Sequence, residues 1–147
     1  MTGFTKILCA VDLSDHSGRV AEYAYSLAQK YSAEVVCVYV APTLSQYVGF
    51  QVPPSSIENF VGEIVSGADL SMEAFIEKSF TNVQAKGKVV TGYAAEEILA
   101  VADEEKVDLL VMGTHGRRGL DRMLFGSVAE KVVKSANCPV LTVRPEE

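Results

Sequence analysis

The sequence predicts an α/β domain, an open five-stranded parallel sheet with four helices packed on both faces. Three observations carry the prediction. Short apolar runs alternate with helical patterns from one end of the chain to the other. The runs Glu34 to Val40 and Asp108 to Met112 are continuously apolar after their first residue, as strands covered on both faces must be. The length of 147 residues suits one domain with a sizeable core, and residues 1–147 read as a single unit without repeat or linker. A strand returning parallel to its predecessor needs a crossover, and burying those crossovers covers the sheet with helices.

Each element follows from its local pattern. Lys6 to Asp12 is too short for a helix and reads as a buried strand ending at the turn residues Ser14 and Asp15. Ala21, Ala24, Leu27, Ala28 and Tyr31 then recur at three- and four-residue spacing, predicting an amphipathic helix capped by Ser14 or Asp15. Glu34 to Val40 is the second strand. A loop from Ala41 to Ser56 follows, with an apolar load at Tyr47, Val48, Phe50 and Val52 that suits a partner contact or packing over the sheet. Ile57, Val61, Ile64, Val65, Ala68, Met72, Phe75 and Ile76 trace the stripe of a long helix, which Gly62 and Gly67 weaken locally. Val83, Ala85, Gly87 and Val89 alternate with polar residues, predicting a strand near a sheet edge. A third helix runs from Ala94 to Glu105, with Glu96 and Glu97 in the first turn where carboxylates complement the helix dipole. Asp108 to Met112 is the fourth strand, Ser127 to Ala136 the fourth helix and Pro139 to Val143 the fifth strand.

Composition excludes several functions. Hydrophobic residues make up 48% and charged residues 22%, within the globular range. No apolar run approaches the ~20 residues of a membrane span, and the stretch after Lys6 is too short for a secretory signal, so no transmembrane segment and a cytoplasmic location are expected. A formal charge of -6 argues against nucleic acid as a partner. Cys9, Cys37 and Cys138 lie in or beside apolar runs without a C-x-x-C pair and read as buried small hydrophobes.

The chemistry lies between the fourth strand and the fourth helix. Gly113, Gly116, Gly119 and Gly126 punctuate this segment, and Ser127 opens the helix whose free N–H groups make an anion site. His115, Arg117, Arg118 and Arg122 form a positive island in an acidic chain, opposed only by Asp121. Such an island suits phosphate, although each arginine also reads as a solvated loop charge. Ser127 with Glu130 matches a capping box, and Ser127 equally suits a phosphate contact. His16 reads as a surface histidine of the first turn. Neither the P-loop pattern nor the dinucleotide fingerprint is present.

Gly113, Gly116, Gly126 and Ser127 follow the spacing G-2x-G-9x-G-S, which resembles the signature of ATP-binding universal stress proteins. The likeness extends through the first, second, fourth and fifth strands. It implies an adenine-nucleotide α-hydrolase-like sandwich with strand order 3-2-1-4-5 and ATP, with Mg²⁺, over the ends of strands one and four. By the same resemblance, Ala10, Val11 and Asp12 line adenine and ribose, with Asp12 placed toward the ribose or the metal. Val40 meets adenine through its backbone, and Met112 and Gly113 pass beneath the ribose. Gly116, Arg117, Gly126, Ser127 and Val128 contact the phosphates, with His115 and Arg118 beside them. The resemblance also implies a homodimer through the edge strand Pro139 to Arg144. No nucleophile or general-base constellation accompanies the site, so a nucleotide-responsive binding module is expected. A slow Mg²⁺-dependent ATPase or phosphotransferase and a nucleotide-free adaptor are the alternatives.

Overall fold

The elements form where the hydrophobic period changes along the chain. The computed structural model describes residues 3–41, 54–115 and 126–145, without the side chains of 54–61. Its elements are β1 (Lys6–Ala10), α1 (Ser17–Tyr31), β2 (Glu34–Ala41), α2 (Pro54–Ser79), β3 (Ala85–Thr91), α3 (Ala94–Glu105), β4 (Leu109–Gly113), α4 (Ser127–Ser135) and β5 (Val140–Val143). The sheet is parallel with the order β3-β2-β1-β4-β5. This is the α/β sandwich that the alternating pattern and the family resemblance imply.

Successive strand residues face opposite sides, which divides the core in two. Ile7, Cys9, Val35, Cys37, Leu109 and Val111 pack beneath α1 and α2, together with Val20, Ala24, Ala28 and Met72. Leu8, Ala10, Val36, Val38, Leu110 and Met112 pack on the other side, against Ile98, Val101, Ala129 and Val132 of α3 and α4. Cys9 and Cys37 are register partners at the sheet centre and fully buried. Their mutual hydrogen bond, and then burial, hold the Cys9 thiol well above its ordinary pKa, which keeps it a neutral hydrophobe. The reading of the cysteines as packing residues holds at these two positions.

Two helix starts differ from expectation. Pro54, not Ile57, begins α2, because a proline at the first helical position loses no bond and presets φ. The loop expected from Ala41 to Ser56 therefore narrows to residues 42–53, which lie outside the described residues. In α1 the capping position falls to His16 without a side-chain bond, instead of to Ser14 or Asp15. Ser14 is committed to the turn before the helix, accepting from His16 N–H at its hydroxyl (3.3 Å) and from Ser17 N–H at its carbonyl (3.0 Å). Gly62 and Gly67 do not interrupt α2.

At the amino end of the sheet, charges tie strands to α3. Lys6 Nζ lies 3.0 Å from Glu105 and 3.3 Å from Glu34, and Lys86 reaches the other Glu105 oxygen at 2.9 Å. Asp108 accepts from the N–H groups of Thr5 (2.8 Å) and Lys6 (3.1 Å). Burial works to raise the Asp108 carboxyl, but these bonds outweigh it and lower the pKa.

Candidate functional site

At the opposite, carboxyl end of the sheet, the crossovers leaving β1 and β4 part company. The chain after β1 enters α1 on one face, and the chain after β4 enters α4 on the other. A crevice opens where neighbouring strands diverge in this way. It holds a cleft of about 430 Å³ lined by Ala10, Val11 and Asp12 after β1, Tyr39 and Val40 of β2, and Met112 to His115 after β4. Gly126, Ser127, Val128 and Ala129 at the start of α4, Ala94 and Ile98 of α3, and His16, Ser17 and Val20 complete the wall.

One end of the cleft is rich in donors. Gly126 takes the capping position of α4 with φ -74° and ψ 167°, and no side chain caps the helix. The first N–H groups of a helix have no partner within it, so this end presents donors and the positive end of the dipole. Gly126 N–H donates to Thr114 O at 2.7 Å, and Thr114 N–H donates to Val143 O at 2.9 Å, fastening the helix entry to the sheet. Glycine is needed here for space rather than for a left-handed backbone. A Cβ on Gly113 would lie 3.2 Å from His115 O, and one on Gly126 would lie 3.4 Å from Thr114 O.

The capping box expected at Ser127 does not form. Ser127 is the first helical residue, and Glu130 turns outward to Lys134 at 2.8 Å. Beside the helix end, Thr114 Oγ1 and His115 Nδ1 lie 3.0 Å apart. His115 Nε2 is buried and is the unpartnered buried side-chain polar atom among the described residues. Such an atom costs about 1–3 kcal/mol unless something satisfies it, which favours a polar ligand.

Asp12 sits on the β1 side of the cleft. Its Oδ1 accepts from Ser14 N–H at 2.9 Å and from the Ser17 hydroxyl at 3.0 Å. Leu13, between them, adopts φ 61°, a left-handed conformation that closes the turn. No three potential metal ligands gather among the described residues, so Asp12 stands without a built metal centre.

The structure therefore brings Ala10, Val11, Asp12, Val40, Met112, Gly113, His115, Gly126, Ser127 and Val128 around one cleft. Gly116, Arg117, Arg118, Gly119, Asp121 and Arg122 lie outside the described residues. His16, read as a surface residue, lines the cleft because α1 starts at its rim. Sequence reasoning missed Ser17, Tyr39, Thr114 and the α3 residues Ala94 and Ile98. Thr114 stood between two expected site residues, and Ser17 three residues after Ser14. The α3 positions gave no signal, since only the sheet's twist and order carry that helix to the cleft. Apolar walls at Val40, Ile98 and Met112 can bury a planar base, while the amino end of α4 can hold phosphate groups.

Comparison with known proteins agrees with this geometry. Residues 3–144 match the model of the Universal stress protein family. A universal stress protein of Methanocaldococcus jannaschii, MJ0531, is 36% identical over 96% of this chain and 82% of its own length. The solved structure of MJ0577, a universal stress protein from the same organism, superposes with a TM-score of 0.81 at 28% identity, covering 97% of each chain. A universal stress protein from Archaeoglobus fulgidus, solved in complex with dAMP, has a TM-score of 0.60 at 25% identity over 97% of this chain and 98% of that one.

Proposed function

The chain belongs to the universal stress protein family, and on that premise we propose that its cleft binds ATP and that the protein acts as a nucleotide-responsive regulatory module. The observation that carries the reading is the uncapped amino end of α4, which opens into the cleft beside the unpartnered His115 Nε2. Backbone N–H groups at Gly126, Ser127 and Val128 supply donors that a phosphate chain needs, and Gly116, Arg117 and Arg118 belong to the same segment. The apolar walls accept adenine, with Val40 at its edge, and Ala10, Val11, Met112 and Gly113 flank the ribose. A dAMP complex in a related protein supports an adenine nucleotide as the class of ligand.

Mg²⁺ would be held chiefly by the phosphates and water, with Asp12 the one described carboxylate on the cleft wall. A single carboxylate is little equipment for phosphoryl transfer, so binding rather than rapid hydrolysis is the proposed output. The β5 edge, from Pro139 to Arg144, is the proposed contact for a homodimer, because an exposed parallel edge offers unpaired backbone groups to a second copy.

Mass spectrometry of the ligand released from purified protein, followed by calorimetric titration with ATP, ADP and AMP, tests the reading. An adenine nucleotide is expected to copurify or to bind on titration. Folded protein that takes up none of the three overturns it. Turnover with Mg²⁺ on the order of 1 s⁻¹ would make the protein an enzyme instead.

A further inference from the structure

Ser17 opens α1 and is 2% exposed, yet it lies on the wall of the cleft. Its hydroxyl does two things to one neighbour. It donates to Asp12 Oδ1 at 3.0 Å and accepts from Asp12 N–H at 3.3 Å. Ser14 N–H adds a second bond to the same oxygen at 2.9 Å. A carboxylate gripped at one oxygen by two donors from different directions loses its freedom to rotate, and the grip on its own N–H fixes the backbone that carries it. Asp12 therefore presents to the cleft in one orientation.

The position of that carboxylate limits what it can read. An anion repels phosphate, and the phosphate donors of this cleft lie across the crevice, at the start of α4. Apolar side chains surround the base end. In a nucleotide, the hydrogen-bond donors between base and phosphates are the sugar hydroxyls, and a carboxylate accepts from them with charge-assisted strength. We infer that Ser17 is the positioning residue that aims Asp12 at the sugar and so sets discrimination between ribo- and deoxyribonucleotides. This inference rests on the nucleotide reading given above.

The structural reasons for a serine here are narrow. The site needs one small group that donates and accepts at once, buried at the first position of a helix. Alanine fills the space without bonding, and cysteine fills it with a weak donor and a weak acceptor. Removing the hydroxyl frees the Asp12 carboxylate to turn, leaving the base and phosphate contacts in place. The expected loss therefore falls on recognition of the sugar and much less on binding as such.

The experiment measures dissociation constants of ATP, 2′-deoxy-ATP and 3′-deoxy-ATP for the wild type, Ser17→Ala, Ser17→Cys, Asp12→Asn and the double variant Asp12→Asn/Ser17→Ala. A charge-assisted hydrogen bond lost to a deoxy analogue corresponds to about a tenfold preference for ATP in the wild type. Ser17→Ala is expected to shrink that ratio to about twofold while ATP still binds, and Ser17→Cys reads the same quantity if the alanine variant fails to fold. In the Asp12→Asn background, Ser17→Ala is expected to leave the ratio unchanged, because the hydroxyl acts only through the carboxylate. A tenfold ratio that persists in folded Ser17→Ala or Ser17→Cys overturns the inference. So does a wild type that binds ATP and its deoxy analogues equally, with the nucleotide reading left standing. A folded wild type that binds none of them removes the nucleotide reading and this inference with it.

Discussion

Glu105 draws its partners from three strands, and no local pattern announces them. Its carboxylate faces Lys86 and Lys6, whose hydrogen bonds hold its pKa at about 2, against an ordinary 4.5. Because the folded pKa is lowered, Glu105 stabilises the fold above pH 4.5, and that contribution disappears as the pH falls toward 2. Lys86 is 57% exposed, so solvent screens the network and its worth is on the order of 1 kcal/mol. Chemical denaturation of wild type and Glu105→Gln between pH 7 and pH 2.5 checks this. The variant is expected to start less stable and to lose less stability on acidification. Parallel curves would assign the acid sensitivity to other carboxylates, with Asp108 the first to examine. The sequence could mark Lys6 and Glu105 as charged and surface-near, but their pairing crosses 99 positions. Only strand order puts them together.

Elements carry more of their own information, although their ends depend on neighbours. The stripe from Ile64 to Ile76 placed α2 correctly, whereas its position on the sheet rests on one small residue. Gly87 of β3 lies under Met72 and Ile76, and an added Cβ would fall 2.4 Å from Met72 Cγ and 2.8 Å from Ile76 Cδ1. Gly87→Ala is therefore expected to cost about 1–3 kcal/mol through overpacking, despite the usual penalty for glycine in a strand. Urea unfolding measures it, and an unchanged midpoint would mean that α2 shifts freely on the sheet.

The start of α4 gives a sharper contrast. A serine in a true capping position contributes about 1 kcal/mol, but Ser127 lies one residue inside the helix and caps nothing. Ser127→Ala is expected to leave the unfolding midpoint within about 0.5 kcal/mol of wild type and to weaken ATP binding several-fold. A full capping loss with unaltered ATP affinity would restore the capping-box reading. The motif S-x-x-E was visible in the sequence; its use was decided by the bond from Gly126 N–H to Thr114 O, which sets the helix one residue later.

At the scale of the molecule, β3 and β5 form the two edges of the sheet. β3 carries Lys86 and Lys88 along its length, charges that oppose pairing with another strand. β5 reads Val140, Leu141, Thr142 and Val143 and has no such guard. Association through β5 is thus the better-suited arrangement. Thr142→Lys is expected to convert a dimer to a monomer in sedimentation, with the cleft still able to bind ATP. A dimer that survives the substitution would move the contact elsewhere.

The sequence by itself determined the class of fold, the residues that make each strand, and the segment from Gly113 to Ser127 that meets a ligand. Those are properties of local period and composition, which a chain carries whatever it packs against. The tertiary structure alone decided which side chains share the cleft. His16, Ser17, Tyr39, Thr114, Ala94 and Ile98 come from β2, β4 and the starts of α1 and α3, and reach one another because β1 and β4 are neighbours whose crossovers leave on opposite faces. It also decided that Ser17 grips Asp12, since the turn at Leu13 needs a backbone conformation that spacing does not reveal.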